Sequence, residues 1–225
     1  MAINNIKERI SELSNLKKSR IILALDKVES LNILSSIIKY VAGVKIGLPL
    51  LISIGADNMK NIIINYKNDA IFIADLKASD IPETNENIAK TIKNIGFDAI
   101  IAHAFVGSES LKALAKHLSV FSLIGMTHKD SYLINSNVNI LIKISQIAGI
   151  TNFVAPATYP DIIKHLRKEI PNALIISPGV GAQGAPFGSA LKVGANFEII
   201  GRSITTALNP VEETQKILKL QEINT

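Results

Sequence analysis

Residues 70–84 read Ala-Ile-Phe-Ile-Ala-Asp-Leu-Lys-Ala-Ser-Asp-Ile-Pro-Glu-Thr, an apolar run that passes directly into a charged cluster. The run over residues 70–74 predicts a buried β-strand. Strand side chains alternate between the two faces, so we expect Asp75 and Lys77 to share one face. Asp80 lies past the strand end, where the chain turns into a helix. Two acids and a lysine at the end of a buried strand indicate an active site rather than packing.

The same order of strand and helix is repeated along the whole chain. Seven further apolar runs predict strands, at residues 20–26, 42–47, 98–103, 120–126, 151–155, 173–177 and 197–201. Helical segments are predicted over residues 28–40, from the second strand to Tyr66, and over 82–94, 108–117, 138–148, 160–168, 187–192 and 210–220. An amphipathic helix over residues 3–17, with Ile3, Ile6, Ile10 and Leu13 on one face, precedes the first strand.

This repetition predicts the fold. Continuous apolar strands are typical of parallel sheets that are covered by helices. Eight strand–helix units without a Pro/Gly/Ser-rich linker predict one (β/α)8 barrel domain over residues 1–225, with an extra N-terminal helix. An open, doubly wound sheet is the alternative, because periodicity does not show whether a sheet closes.

Composition narrows the possible functions. The chain has no cysteine, which excludes disulfides, thiolate metal sites and cysteine nucleophiles. His103 and His128 lack the spacing of a metal pair and are predicted to be hydrogen-bonded wall residues. The net charge is +5, but the basic residues are scattered and aromatic residues make up only 5%, so we expect no nucleic-acid partner. Short apolar runs and a start without a signal peptide predict a cytoplasmic protein without a membrane partner.

The predicted C-terminal ends of the strands are polar, although each preceding strand is apolar. In a (β/α)8 barrel these ends carry the active site. The residues at these positions, most of them polar, are Asp26, Lys45, Asp75, Lys77, Asp80, His103, Thr127, Pro178, Gly179, Gly201 and Arg202. The four charged residues from Lys45 to Asp80 can form an alternating set in which each charge offsets the desolvation of its neighbours. Such a set can hold a carboxylate against a substrate anion, while a lysine delivers a proton to carbon.

Structural roles are the alternatives for these residues. Asp80 also fits a helix N-cap, since Glu83 occupies the capping-box position. Asp75 and Lys77 can form a purely structural ion pair. Asp26 ends its strand in a residue that favours turns, so a structural role fits it almost as well as a functional one.

A second functional signal follows the seventh strand, where residues 177–184 read Ser-Pro-Gly-Val-Gly-Ala-Gln-Gly. These glycines satisfy the G-x-G-x-x-G dinucleotide pattern, but only a short helix follows and Glu198 falls within a strand. Barrel loops after strands seven and eight commonly bind a phosphate with backbone N–H groups. Arg202, after strand eight, adds a guanidinium. We therefore predict a phosphate site, with a plain glycine turn as the alternative for the first loop.

Five segments of the chain together resemble a known enzyme family. Residues 75–85 resemble the D-x-K-x-x-D-I-P-x-T signature of orotidine 5′-phosphate decarboxylases, and residues 25–26, 44–47, 177–184 and 201–203 agree in order and position. The resemblance covers nearly the whole chain and is closest to the short microbial and archaeal forms. It implies cofactor-free, metal-free decarboxylation of orotidine 5′-phosphate to UMP by a homodimer with shared active sites.

The resemblance also implies a role for each matching residue. Asp75 would crowd the substrate carboxylate, and Lys77 would protonate C6 of the pyrimidine after carbon dioxide leaves. Lys45 would complete the charge network together with Asp80, which would reach the substrate of the neighbouring subunit. The other matching residues would bind substrate. Asp26 would bind the ribose, and Thr84 would bind the ribose across the dimer. Ile81 would line the pyrimidine pocket of the partner, and Thr127 would contact the amide edge of the pyrimidine. The phosphate would be held by Gln183, Gly201 and Arg202, beside the loop residues Pro178, Gly179, Val180 and Gly181.

The chain departs from the family pattern at two places. Thr127 stands where many relatives have serine, and it keeps the hydroxyl but adds a methyl group beside the base. Residues 184–187, Gly-Ala-Pro-Phe, are more rigid and apolar than the glycine-rich loop of the family. Closure of this loop matters, because binding of the remote phosphate can hold the reacting carboxyl in its repulsive position.

Two other functions stay open. Mg²⁺-dependent hexulose-phosphate synthases and ketogulonate-phosphate decarboxylases share the Asp-x-Lys-x-x-Asp pattern, but they place a glutamate near the end of strand two. This chain has Lys45 there, and a cation opposes a bound divalent ion. The other alternative is a non-catalytic nucleotide-binding barrel. The set of Asp75, Lys77 and Asp80 argues against it, because binding alone needs no buried alternating charges.

Overall fold

The protein is described by a computed structural model that covers residues 6–223. Eight parallel strands form a closed barrel in sequence order. They are β1 Ile21–Leu25, β2 Gly43–Gly47, β3 Ile71–Ala78, β4 Ala99–His103, β5 Ser119–Leu123, β6 Asn152–Val154, β7 Leu174–Pro178 and β8 Phe197–Ile200. Strand β8 pairs with β1, with Ile22 opposite Ile199, and this pairing closes the sheet. The predicted (β/α)8 barrel is thereby confirmed, and the open doubly wound sheet is wrong.

Helices cover the outside of the barrel. They are α1 Ile6–Lys17, α2 Leu34–Ile37, α3 Leu48–Ile54, α4 Ala56–Tyr66, α5 Pro82–Ile95, α6 Ser108–Ala115, α7 Tyr132–Asn135, α8 Val138–Ile147, α9 Pro160–Glu169, α10 Ser189–Lys192, α11 Arg202–Thr205 and α12 Pro210–Ile223. Short 3₁₀ helices lie at Val28–Ile33, Ile38–Tyr40, Ala104–Val106 and Gly181–Gln183. None of the helices within residues 6–223 is long and apolar enough to span a membrane.

The extra N-terminal helix is present as α1, although Ile3 of its predicted face lies outside the described residues. Ile6, Ile10 and Leu13 of this face are buried. Arg9 on the same helix pairs with Asp98, whose other oxygen accepts the Phe72 N–H at 2.8 Å. The helix thus holds the N-terminal side of the barrel. The single-domain boundary over residues 1–225 stays a prediction.

Several predicted boundaries were wrong for a local reason. The helix predicted over residues 28–40 consists of a 3₁₀ turn, one α-helical turn and a second 3₁₀ turn. The helical stretch before Tyr66 is interrupted at Gly55, whose φ of +77° belongs to no right-handed helix. Strand β3 continues four residues past Ala74, so Asp75 and Lys77 lie within the strand, whereas Asp80 lies after it, as predicted.

Candidate active site

A cavity of about 280 Å³ opens at the C-terminal ends of the strands, where the sequence predicts the site. Predicted site residues from seven different loops or strands line it. They are Asp26, Lys45, Asp75, Lys77, Thr127, Pro178, Gly179, Val180, Gln183, Gly201 and Arg202. These residues are up to about 180 positions apart along the chain, and the closed barrel brings them together.

The charged residues of the cavity form one connected network. Asp75 accepts hydrogen bonds from Lys45 Nζ at 2.7 Å and from Lys77 Nζ at 2.8 Å, one on each carboxylate oxygen. Lys45 also lies 3.4 Å from Asp26. The side chains of Lys45 and Asp75 are only 8% and 10% exposed, whereas Lys77 is 40% exposed. Two lysines therefore fix a buried carboxylate, and one of them faces the open part of the cavity.

The electrostatics of this network favour ionised Asp75. Burial alone would raise the pKa of the Asp75 carboxyl, but the charges and hydrogen bonds of Lys45 and Lys77 bring this pKa below its ordinary value. The carboxylate is rigid as well, because both of its oxygens are bonded. A substrate carboxylate placed beside it would be repelled by a charge that neither moves away nor takes up a proton.

Lys77 reaches the cavity through a distortion of β3. Its φ is +47°, a left-handed value that is rare for residues other than glycine. The pairing of β3 with β4 shifts between Ala74 and Ala78, as in a β-bulge. Asp75 and Lys77 both face the cavity, as predicted. The prediction assumed regular alternation of side chains along the strand, and this alternation is broken at Lys77. Strained backbone of this kind is concentrated at functional sites.

Asp80, Ile81 and Thr84 do not line the cavity of their own chain. Asp80 forms no ion pair among the described residues, so the predicted four-charge set contains Asp26 in its place. The predicted N-cap role of Asp80 is also wrong, because α5 begins at Pro82 with Ile81 as its uncapped N-cap. The Asp80 carboxylate instead accepts the Ile81 N–H at 2.7 Å. Both side chains are exposed next to the mouth, with Ile81 at 62%.

The loop after β7 lies across the cavity from the charge network and is stabilised by hydrogen bonds within the loop. The Gly181 N–H donates to the Ala185 carbonyl at 2.8 Å, and the Ala185 N–H donates to the Gly179 carbonyl at 3.2 Å. Gly181 was predicted to bind substrate, and it is not among the residues that line the cavity. A Cβ there would lie 2.6 Å from Phe187 and 2.5 Å from Ser203 Oγ. The internal bonds agree with the rigidity expected for this loop.

No local sequence pattern signals the other residues that line the cavity. The strands contribute Ala24, Ile101, Leu123, Val154 and Ile199, and the segments that follow the strands contribute Gly125, Met126, Ala182 and Ser203. The strand residues among them lie within the apolar runs, either at the strand end or one or two positions before it. Period-two alternation counted back from the strand ends would have found some of them, since the charged Asp26 and the apolar Ala24 share a face.

Gly47, at the end of β2, has a role that the sequence did not signal. A Cβ at this position would lie 2.0 Å from Asp26 Oδ1, which is closer than any real contact. Any side chain at position 47 would therefore displace the Asp26 carboxylate from its present place. The conformation of Asp26 beside Lys45 thus depends on the missing side chain of a neighbouring strand.

The predicted wall roles of the two histidines are wrong, because neither His103 nor His128 lines the cavity. His103 stacks on Phe105 with ring centroids 4.7 Å apart, and its buried Nδ1 has no hydrogen-bond partner within residues 6–223. Burial, followed by the positive charge of Lys77, lowers the pKa of His103. In the described part of the chain, no cluster of three or more histidine or acidic side chains is arranged for a metal ion.

A closed (β/α)8 barrel with a buried acid held between two lysines at the C-terminal ends of its strands has the architecture of an enzyme active site. The family model described as "Orotidine 5′-phosphate decarboxylase / HUMPS family" matches residues 19–217. The chain belongs to this family.

Individual relatives agree with the family assignment. A protein from Thermoplasma volcanium named orotidine 5′-phosphate decarboxylase is 36% identical over 209 residues, which cover 90% of this chain and 93% of that protein. One of the same name from Sulfurisphaera tokodaii is 38% identical, with 90% and 95% covered. The crystal structure of orotidine 5′-monophosphate decarboxylase from Methanocaldococcus jannaschii, complexed with inhibitor BMP, has a TM-score of 0.82 at 33% identity, with 90% and 98% covered.

Proposed function

We propose that this protein is an orotidine 5′-phosphate decarboxylase, which converts orotidine 5′-phosphate to UMP and carbon dioxide in pyrimidine biosynthesis. The observation that carries the proposal is Asp75, ionised and held on both oxygens by Lys45 and Lys77 inside the cavity. Family membership and the names of the relatives support it. Binding of a nucleotide alone would not require a buried carboxylate with a lysine beside it.

The proposed reaction uses the network in two steps. The substrate carboxylate lies next to Asp75, and the repulsion between the two anions is relieved when the bond between C6 and the carboxylate breaks. Carbon dioxide leaves, and the electron pair stays on C6. The Lys77 ammonium stabilises this developing charge and then transfers a proton to C6, which gives UMP. Solvent returns a proton to Lys77, whose side chain is 40% exposed.

The phosphate supplies the binding energy that holds the carboxylate in its repulsive position. Gln183, Gly201 and Arg202 lie in the same cavity as the charge network, and we assign the phosphate to them. The guanidinium of Arg202 can bind two phosphate oxygens at once. Binding at a remote, non-reacting group can be used to destabilise the reacting group, provided that both ends of the substrate are fixed.

Lys45 separates this proposal from the Mg²⁺-dependent members of the superfamily. Its ammonium lies 2.7 Å from Asp75 and 3.4 Å from Asp26, so it contacts both carboxylates that could bind a divalent ion there. A fixed positive charge at this point disfavours a second cation by electrostatic repulsion.

We further propose that the active form is a homodimer in which Asp80, Ile81 and Thr84 complete the site of the neighbouring subunit. Their position supports this, since all three lie beside the mouth and outside the cavity of their own chain. A cytoplasmic location, and the lack of a nucleic-acid or membrane partner, are proposals that rest on composition.

The reaction is tested by adding orotidine 5′-phosphate to the protein in the presence of EDTA and following the fall in ultraviolet absorbance. We expect turnover at the same rate with EDTA and with added Mg²⁺. Absence of turnover under both conditions would refute the proposed reaction. Turnover that requires Mg²⁺ would instead support the metal-dependent alternative.

The shared site is tested by mixing two inactive variants, Asp75→Ala and Asp80→Ala. Random pairing of equal amounts makes half of the dimers mixed, and each mixed dimer contains one intact site. We therefore expect about one quarter of the wild-type activity to return. Each variant alone is the control. Failure to recover activity, after exchange of subunits has been confirmed by mass spectrometry, would show that Asp80 acts within its own chain.

A further inference from the structure

The backbone carbonyl of Asp80 is held by two buried side chains on helices outside the cavity. Asn85 Nδ2 on α5 donates to it at 3.0 Å, and Ser110 Oγ on α6 donates to it at 2.8 Å. Asn85 is completely buried, and Ser110 is 3% exposed. A carbonyl oxygen has two lone pairs, so side chains from two different elements fill the bonding capacity of this one atom.

The Ile81 N–H of the same peptide and the Ile81 carbonyl of the next peptide are held as well. The Ile81 N–H donates to the Asp80 carboxylate at 2.7 Å, and the Ile81 carbonyl accepts the Asn85 N–H at 3.0 Å. The peptide is thus bonded on both sides, and Asn85 is involved twice. In contrast, the side chains of Asp80 and Ile81 are exposed. A rigid backbone therefore presents two exposed side chains at the mouth of the barrel.

A purely structural role accounts poorly for Asn85. Asparagine is a weak helix former within a helix, and the usual way to stabilise a helix start is a serine, threonine or aspartate at the N-cap. Here the N-cap is Ile81, without any side-chain cap. The Oδ1 atom of Asn85 is buried and has no hydrogen-bond partner among residues 6–223, which costs free energy. A buried asparagine at position 85 therefore lowers the stability of the helix, but it fixes the Asp80–Ile81 peptide.

We propose that Asn85 and Ser110 are positioning residues for the active site of the neighbouring subunit. They fix the Asp80–Ile81 peptide, so that the Asp80 carboxylate and the Ile81 side chain enter the partner's cavity in one conformation. Neither Asn85 nor Ser110 touches substrate. The inference rests on the proposed shared site, and it adds that the geometry of one active site is controlled by buried hydrogen bonds in the other subunit.

The first test is the activity of single variants. Asn85→Ala and Ser110→Ala each remove one donor from the Asp80 carbonyl, and we expect kcat/KM to fall at least about tenfold, because small displacements of groups at an active site have large effects on rate. Asn94→Ala is the matched control, since Asn94 is an exposed asparagine at the far end of the same helix. Its kcat/KM should be unchanged. Wild-type kcat/KM in both Asn85→Ala and Ser110→Ala would refute the proposal.

The decisive test shows in which subunit the defect lies. Asn85→Ala is mixed with Asp75→Ala. Each mixed dimer then has one site in which the Asn85→Ala chain supplies Asp75 and the Asp75→Ala chain supplies an Asp80 that is held normally. We expect the same recovery as for Asp80→Ala mixed with Asp75→Ala, about one quarter of the wild-type activity. Ser110→Ala, which removes a single hydroxyl, is mixed in the same way, so that the test still holds if Asn85→Ala does not fold.

The outcomes separate this inference from the proposed function. If Asp80→Ala recovers activity with Asp75→Ala but Asn85→Ala and Ser110→Ala do not, their defect lies in their own barrel and the positioning role is refuted. If none of the three mixtures recovers activity despite confirmed exchange of subunits, the shared site itself is wrong, and the inference fails with it.

Discussion

Lys77→Ala is expected to remove almost all turnover and to leave the binding of UMP nearly intact. The substitution removes the proton donor and the positive charge that stabilises negative charge on C6, so kcat should fall by at least about 10⁴-fold. UMP has no carboxylate at C6 and makes no use of the donor, so its affinity should change only a few-fold. The hydrogen bond of Lys45 to the Asp75 carboxylate, at 2.7 Å, does not involve Lys77.

The measurements are single-turnover kinetics with orotidine 5′-phosphate and titration calorimetry with UMP. Lys18→Ala is the matched control. Lys18 is an exposed lysine outside the cavity with a φ of +49°, so it shares the left-handed backbone of Lys77. This control separates loss of the ammonium group from a change in backbone strain. A decrease of kcat below tenfold in Lys77→Ala would contradict the assigned proton transfer.

Arg202→Ala is expected to have the second-largest effect, on kcat/KM for the phosphorylated substrate. In the proposed complex the guanidinium donates two charge-assisted hydrogen bonds to the phosphate, and their loss corresponds to a decrease of about 10²–10⁴-fold. Arg202→Lys should recover part of this loss, because an ammonium keeps the charge but not the two-pronged geometry. Arg20→Ala, at an exposed arginine outside the cavity, should be without effect.

The nucleoside orotidine, which lacks the phosphate, shows whether Arg202 acts through that group. The wild type and Arg202→Ala should have the same low kcat/KM for orotidine, since the contact that distinguishes them is missing. A double-mutant cycle of enzyme variant and substrate then gives the coupling between the guanidinium and the phosphate. If Arg202→Ala also lowers kcat/KM for orotidine by 10²-fold or more, Arg202 has another role and the phosphate assignment is wrong.

The (β/α)8 barrel and most of the site could be predicted from the sequence, because both leave local signals. Continuous apolar runs alternate with helical segments, and the polar residues follow each run. In a parallel barrel all strands end on the same side, so Asp26, Lys45 and Asp75 were expected at the same end of the barrel although they lie in different repeats. All three residues line the same cavity, in agreement with this expectation.

The wrong details of the site are those that depend on contacts between distant residues. The bulge that turns Lys77 into the cavity arises from the pairing of β3 with β4, which no local pattern signals. Asp80 resembles an N-cap in sequence, but Asn85 and Ser110 hold its backbone carbonyl and leave α5 to begin at Pro82. Gly181 resembles a phosphate-binding glycine, yet Phe187 and Ser203 are what exclude a side chain there.

The sequence by itself therefore determined the order of the elements, the end of the barrel that carries the site, and the residue types that carry the chemistry. These properties follow from hydrophobic periodicity and from chemical groups that no folding changes. Only the tertiary structure decided which charges meet. It placed Asp26 with Lys45 and Asp75, and it left Asp80 exposed beside the mouth. The physical reason is that an ion pair depends on distances of a few ångströms between residues far apart in sequence, and closure of the barrel sets those distances.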